Sequence, residues 1–240
     1  MAVSIELHRM RFQRVVEEAP LINTYYFDRP DDYTWQEGEH IHFAFPDFRD
    51  GAKPNRARVR HMSIASLPDE DQIMITTRMN AESPFKNALL DMPADYEMAL
   101  FNPSCKINLR RQNKQLICLT MGVGIAAFRP LILAHAADPT DIQSIKLLCV
   151  AKAGEEVYRK ELEQYSSESR EIDWIYSRQD FHESVATMPT DAIYYLVGSD
   201  AFIQENLRNL LGRGVEAQNI VLDLRDDLRE FYINQALKAL

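Results

Sequence analysis

Residues 115–130 read QLICLTMGVGIAAFRP, an apolar run of strand type that enters a glycine turn and then a helix predicted over residues 125–137. The turn has the pattern G-x-G-x-x-A, formed by Gly122, Gly124 and Ala127. Glycines permit a tight turn and a close approach of the backbone, and the first N–H groups of the following helix favour a pyrophosphate. In this context the pattern indicates a nucleotide site; the alternative is an ordinary strand-to-helix turn.

Downstream of this turn, apolar strands alternate with helices. This alternation predicts a doubly wound parallel sheet. A second loop, with Gly198 and Ser199, follows the fourth strand of this half. Ligands of open α/β sheets bind at the carboxyl ends of the strands, so both loops can face one ligand, although Ser199 also suits a helix cap. The predicted strands cover residues 115–121, 145–151, 172–177, 192–198 and 219–224, and the helices residues 125–137, 155–165, 201–211 and 227–240.

The third predicted strand of this half runs into Ser177 and Arg178. A hydroxyl and a guanidinium at the carboxyl end of a strand suit a phosphate monoester, because arginine can bond it with two N–H groups. A solvated loop arginine is an equal alternative.

Residues 1–112 have a different periodicity. Short runs rich in β-branched and aromatic residues, separated by turns, predict an antiparallel barrel or sandwich. A short helix over residues 84–92 follows Ser83, a suitable N-cap. The polar run RRQNK at residues 110–114 marks the boundary, so we predict a β domain over residues 1–112 and an α/β domain over 113–240. The predicted strands are 4–12, 21–28, 40–45, 57–66, 72–79 and 96–101.

Composition excludes several classes of protein. The net charge of −9 argues against a nucleic-acid binder, which needs a basic face. No stretch approaches the ~20 apolar residues of a membrane span, and the N-terminus lacks the apolar centre of a signal peptide. Cys105, Cys118 and Cys149 lie far apart, which is typical of reduced thiols in a cytoplasmic protein. His40 and His42 could touch one metal ion, but no third ligand is visible, and no metal site is predicted.

Several segments resemble the ferredoxin-NADP⁺ reductase-like flavoproteins. RHMSIAS at residues 60–66 resembles their flavin signature, Arg-x-Tyr/Phe-Ser, and EGEHI at residues 37–41 resembles the turn before their third strand. SPFKNAL at residues 83–89 is similar to their second flavin segment. GVGIAAFRP at residues 122–130 resembles Gly-Thr-Gly-Ile-Ala-Pro-Phe-Arg, and VGSD at residues 197–200 resembles Cys-Gly-Pro-Pro. The order of the segments matches over nearly the whole chain.

The resemblance implies an FAD-binding β-barrel followed by an NAD(P)-binding α/β domain. It implies an FAD-dependent NAD(P)H oxidoreductase that passes electrons to a separate acceptor, such as a ferredoxin, a flavodoxin or a small molecule. FAD would lie between the domains, with Arg60 on its pyrophosphate and Ser63, the catalytic residue, near flavin N5. Hydride would pass from nicotinamide to flavin N5. The implied flavin-binding residues are Arg60, Met62, Ser63, Thr77, Ser83, Phe85 and Lys86.

The nicotinamide cofactor would lie across both glycine loops. Ser177 and Arg178 resemble the family's Ser-Arg pair that holds the 2′-phosphate, which favours NADPH over NADH. The implied residues of the two loops are Gly122, Val123, Gly124, Ile125, Gly198 and Ser199.

Four positions depart from the family pattern. Met62 replaces the aromatic of the flavin signature, Val123 a threonine, Val197 a cysteine and Leu224 the closing aromatic. They support a second hypothesis, a catalytically degenerate binding or regulatory module that kept the fold. A helical tail over residues 226–240 is explained by packing, and the functional alternatives are a flavin cover or a surface for a partner complex. The acceptor and the oligomeric state stay open.

A basic run lies beside the proposed flavin segment. Lys53, Arg56, Arg58 and Arg60 fall within eight residues of a chain that is acidic as a whole. Such a run could steer an acidic electron carrier, and a solvated loop is an equal alternative.

Overall fold

The chain builds two sheets of different character in a computed structural model, which describes residues 6–49, 55–79 and 82–239. The first sheet is antiparallel and contains strands β1 to β6, in the order β4-β3-β6-β1-β2-β5. Residues 4 and 5 of the first predicted strand lie outside the described residues. The strands are β1 (His8–Ala19), β2 (Ile22–Asp28), β3 (Glu39–Ala44), β4 (Val59–Ser63), β5 (Gln72–Arg78) and β6 (Glu97–Cys105).

The antiparallel sheet curls around an aromatic core. Along β3, Ile41 and Phe43 are fully buried in this core, and the alternate residues His40 and His42 face outward. The end strands β4 and β5 meet across a seam, where the backbone N–H of residue 65 donates to the carbonyl of residue 74 at 2.8 Å. Helix α1 (Pro84–Leu90) covers one end of the curl. The predicted barrel is therefore confirmed as a six-stranded, partly open one.

The second sheet is parallel and contains five strands in the order β11-β10-β7-β8-β9. Helices cover both faces of the sheet. Helices α2 and α3 pack in the apolar core on one face, and α4, α5 and α6 pack in the core on the other. The predicted doubly wound fold is confirmed. The elements are β7 (Lys114–Met121), α2 (Arg129–Ala137), β8 (Ile142–Val150), α3 (Arg159–Leu162), β9 (Arg170–Ile175), α4 (Arg178–Ala186), β10 (Ile193–Val197), α5 (Asp200–Gly212), β11 (Ile220–Leu222) and α6 (Asp226–Lys238).

One helix is absent from the prediction, and two predicted helices begin later than expected, one of them α3, at Arg159 rather than at residue 155. Helix α4 was not predicted, since its apolar face consists of Phe181 and Val185 alone among its nine residues. The segment after β7 is a 3-10 helix over Gly122–Ala127, and the α-helix begins at Arg129 rather than at Ile125. The differences at α2 and α4 both concern helix starts beside the predicted nucleotide site.

A buried arginine joins the two domains. Arg129, at 3% exposure, donates to both carboxylate oxygens of Glu70 from the barrel. It also pairs with Glu161 of the α/β domain and donates to the carbonyl of Ala65. The domains therefore share an ionic contact in which the arginine is buried and fully hydrogen-bonded, while both carboxylates are partly exposed.

Two further features bear on the predicted exclusions and the tail. In the described part of the chain, no helix is long and apolar enough to cross a membrane. Helix α6 packs through Tyr232, Ile233 and Ala236 into the core beside α5, and leaves Phe231 and Leu237 exposed. Packing accounts for one face of the tail.

Candidate functional site

The two glycine loops meet at the point where the order of the parallel strands reverses. Strands β7 and β10 are neighbours, and the chain continues outward from them in opposite directions. At such a switch point a crevice opens beyond the carboxyl ends of the strands. The hydroxyl of Ser199 lies 3.8 Å from the sulfur of Met121, so the loop after β10 touches the end of β7. The structure thus brings both predicted loops together.

Two of the glycines in these loops stand where a side chain would not fit. A Cβ at Gly124 would collide with the hydroxyl of Thr120 and would lie 3.1 Å from the carbonyl oxygen of Val197. A Cβ at Gly198 would lie 2.6 Å from the ring of Phe202. Gly124 therefore allows close packing against strands β7 and β10, and Gly198 allows close packing against helix α5.

Gly122 faces open space instead. A Cβ there would meet nothing within 4 Å, but its φ of +53° lies in the left-handed region that favours glycine. Of its neighbours, Val123 is half-buried and Ile125 is fully buried in the core. Among the predicted residues of the two loops, Gly122 therefore offers its backbone and Ser199 its hydroxyl at the edge of the crevice.

Ser177 and Arg178 lie at the start of helix α4. The Ser177 hydroxyl accepts from the backbone N–H of Asp180 at 3.0 Å, so this serine is the N-cap, and Arg178 is the exposed first residue of the helix. Arg178 borders a small recess together with Met121 and Phe202. A guanidinium beside free helical N–H groups suits a phosphate. The recess shares Met121 with the glycine loops, which places this arginine next to the switch point.

Three cations converge at the open seam of the barrel. The Lys86 ammonium donates to the backbone carbonyl of Arg78, and the Arg60 guanidinium lies 5.4 Å from the ring centre of Phe85, the residue before Lys86. Burial, and then the positive charges of Arg60 and Arg78, lower the pKa of Lys86. Glu155 of the α/β domain pairs with Arg78. Arg60, Arg78 and Lys86 form a cationic cluster, in which Glu155 neutralises Arg78 and leaves Arg60 and Lys86 as the charges suited to an anion.

The remaining residues of the flavin prediction divide into accessible and buried groups. Ser83 is the N-cap of α1 and accepts from the Lys86 backbone N–H at 3.5 Å, beside the cationic cluster. The side chain of Phe85 is fully buried, and Thr77 is 5% exposed with its hydroxyl 3.5 Å from the carbonyl of the next residue. Met62 is partly buried against the barrel core. Phe85 and Thr77 can therefore offer a ligand mainly their backbone.

Ser63 ends β4 directly opposite His40 in the antiparallel register, so both side chains lie on the outer face of the sheet. The Nδ1 atom of His40 is 2.5 Å from Oδ1 of Asp223, which follows strand β11 of the other domain. His61 lies on the same face, with its ring centre 4.0 Å from that of His40. Polar side chains from both domains, namely His40, His61 and Asp223, therefore lie near Ser63, the residue predicted to be catalytic.

No local pattern in the sequence predicts this histidine cluster. Burial of the ring, and then the neighbouring His40 and His42, lower the pKa of His61 to about 4. Alternation along β3 places His40 and His42 on one face, but the approach of Asp223 depends on how the domains dock. In the part of the chain that the structure describes, no three or more ligating side chains are arranged to hold a metal ion.

No protein-family model matches this sequence, and no curated protein matches it. Solved structures match its fold. The ferredoxin reductase of carbazole 1,9a-dioxygenase is 16% identical with a TM-score of 0.74, over 93% of this chain and 70% of that one. A ferredoxin NADP⁺ reductase from Neisseria gonorrhoeae, with bound FAD and NADP, is 16% identical with a TM-score of 0.75, over 88% and 93%.

A ferredoxin-NADP⁺ reductase from Plasmodium falciparum is 12% identical with a TM-score of 0.75, over 91% of this chain and 96% of that one. The predicted resemblance is confirmed for the fold. The chain has the two-domain architecture of the ferredoxin-NADP⁺ reductase type, a curled antiparallel sheet followed by a five-stranded parallel sheet with helices.

Proposed function

We propose that this chain is an FAD-dependent oxidoreductase that takes electrons from NADPH or NADH and passes them to a separate acceptor, either a redox protein or a small molecule. One observation carries the proposal. The cationic cluster at the seam of the barrel and the glycine loops of the switch point converge on strand β5, which contains Arg78 and packs against the turn Gly122–Ala127. Two sites suited to phosphate groups therefore border one domain junction.

The cationic cluster fits the pyrophosphate of FAD. Arg60 and Lys86 supply two positive charges. Burial, together with the charges of Arg60 and Arg78, lowers the pKa of Lys86, so a bound anion would stabilise its protonated form. FAD, when bound, would supply the acceptance of hydride and the onward transfer of electrons. Ser63 would orient the flavin near its N5, and His40, held by Asp223, would keep this face polar.

The switch point fits a nicotinamide dinucleotide. Gly122 and Ser199 would border its pyrophosphate, because backbone N–H groups at strand and helix ends hold phosphates well. Arg178 would hold a 2′-phosphate at the start of α4, which makes NADPH the preferred donor. Arg178→Gln is expected to raise KM for NADPH about tenfold or more, as loss of a charged hydrogen bond does, and to leave KM for NADH unchanged.

The proposal is tested by the visible absorption spectrum of purified protein incubated with FAD, followed by anaerobic addition of NADPH. Flavin bands that bleach are the expected result. In a matched comparison, Arg60→Gln combined with Lys86→Gln should raise the Kd for FAD at least about tenfold. The exposed pair Arg11→Gln and Arg208→Gln, which removes the same charge, should not change it. A colourless protein after incubation with FAD would overturn the proposal.

A second candidate function is the degenerate module. It is supported by Met62, which stands at the aromatic position of the flavin signature and packs partly into the barrel core. In this case the fold would hold a ligand or partner without transferring electrons. NADPH oxidation with a dye acceptor, abolished by the Arg60 and Lys86 substitutions, would exclude it.

A further inference from the structure

A cavity separate from the switch point lies on the outer face of the barrel. This aromatic pocket has a volume of about 430 Å³ and is bordered by His42, Phe48, Phe101, Val59, Arg49 and Arg56. Arg60 and His61 complete its wall. Pockets for small organic ligands have roughly 300–1,000 Å³. The volume therefore suits a molecule of one or two fused rings.

The wall of the aromatic pocket is built from stacked rings. The rings of His42 and Phe101 are 5.0 Å apart with an angle of 22°, and those of Phe101 and Phe48 are 5.1 Å apart with an angle of 20°. Phe48 and Phe101, with Ala44, form an apolar cluster separate from the barrel core. Phe48 and Phe101 are 3% and 5% exposed, so the partly exposed His42 ring is the end of this stack that a planar aromatic ligand can extend.

The rim of the aromatic pocket is positively charged. Arg58 in the same segment is neutralised by Asp47 at 2.8 Å. In contrast, Arg49 and Arg56 have no carboxylate partner among the described residues, and both are exposed. Arg49 lies over the ring of Phe48, with its guanidinium carbon 5.0 Å from the ring centre. In a chain of net charge −9, this local excess of positive charge is complementary to an anionic group.

We infer that the aromatic pocket binds a planar aromatic anion, a ring system of one or two fused rings that carries one sulfonate, carboxylate or phosphate group. The His42 end of the stack would hold the rings, and Arg49 and Arg56 would hold the anionic group. The inference goes beyond the proposed function. The pocket shares Arg60 with the cationic cluster, but its stacked rings lie on the outer face of β3 and β6, away from the switch point.

Calorimetric titration of the full chain with three probes tests the inference. Naphthalene-2-sulfonate carries both features, cyclohexanesulfonate has the anion without the aromatic rings, and 2-naphthalenemethanol has the rings without the anion. Naphthalene-2-sulfonate should bind at least about tenfold more tightly than either of the others, since each lost contact weakens binding. Equal or absent binding of all three would overturn the inference.

Variants then locate the site. Arg49→Gln with Arg56→Gln should weaken naphthalene-2-sulfonate at least about tenfold. The matched pair Arg11→Gln and Arg208→Gln should not, and unchanged binding in the first pair would overturn the inference. Phe101→Leu should also weaken binding, with its melting temperature as a check on folding.

Each titration is made with and without saturating FAD, since Arg60 borders both the aromatic pocket and the cationic cluster. Binding that persists with FAD supports a separate site, and competitive displacement by FAD would overturn it. A protein that fails to bind FAD but binds naphthalene-2-sulfonate would refute the proposed function alone.

Discussion

His40 and Asp223 form a direct contact between the two domains, with Nδ1 of the imidazole 2.5 Å from Oδ1 of the carboxylate. Their side chains are 8% and 16% exposed, so the contact is largely removed from water. The two residues are separated by 183 positions in the sequence. Because His40 lies opposite Ser63 on the barrel surface, this contact fixes how the α/β domain meets the proposed catalytic position.

Removal of Asp223 should loosen this junction. Asp223→Ala leaves a buried histidine nitrogen without a partner, which costs roughly 1–3 kcal/mol. We expect a fall of this size in the free energy of unfolding, measured by urea denaturation. Asp227→Ala is the control, because Asp227 pairs with Arg225 on the surface and should contribute less than about 1 kcal/mol. Equal losses in the two variants would contradict the assigned role of the contact.

The histidine cluster should make stability depend on pH. His61 has its pKa lowered to about 4 in the folded chain, against an ordinary value of 6.5. Between these values the unfolded chain binds more protons than the folded one, so the free energy of unfolding falls as pH falls from 6.5 toward 4. His61→Gln removes this contribution. As pH falls from 6.5 toward 4, the free energy of unfolding should therefore fall less in the variant than in the parent. Parallel curves of this free energy against pH would contradict the prediction.

The sequence predicts the two sheets well, because their cues are local. Alternation of Ile41 and Phe43 with His40 and His42 is readable from the chain, and so is the glycine turn after β7. Helix α4 could not be predicted, since it buries two apolar side chains and otherwise looks like a polar loop. The partners of His40 and Arg129 depend on how the domains dock, and no local pattern encodes them.

The candidate site was predicted in part for the same reason. Gly122 and Ser199 were placed correctly at the carboxyl ends of adjacent strands, which follows from sheet topology. The convergence of Arg78 with Arg60 and Lys86 was not foreseen, because it requires the seam between the first sheet's end strands. The assignment of these residues to flavin and nicotinamide stays a prediction.

Gly124 should tolerate no side chain. In Gly124→Ala the new methyl group collides with the Thr120 hydroxyl, and overpacking of this kind costs roughly 1–3 kcal/mol. We expect lower stability and weaker NADPH binding, measured by thermal melting and by titration. Thr120→Ala combined with Gly124→Ala removes the atom that is struck and should restore part of both losses. A double variant no better than Gly124→Ala would show that another contact is responsible.

Arg129 should couple the unfolding of the two domains. Its side chain is 4% exposed and is shared by Glu70 of the barrel and Glu161 of the α/β domain. Arg129→Met leaves two partly exposed carboxylates without their cation, and the cost should stay below the roughly 3–5 kcal/mol of a fully buried pair.

Calorimetry should then show a lower melting temperature and two separate transitions where the parent shows one, because the ionic contact no longer joins the domains. Arg159→Met is the matched control, since Arg159 makes ion pairs with Glu156 and Glu163 but is 45% exposed. Adding Glu70→Gln and Glu161→Gln to Arg129→Met removes the unpaired charges and should recover much of the loss. If Arg129→Met unfolds in a single transition at the parent's temperature, the domains are held together by their other contacts, such as His40–Asp223 and Arg78–Glu155.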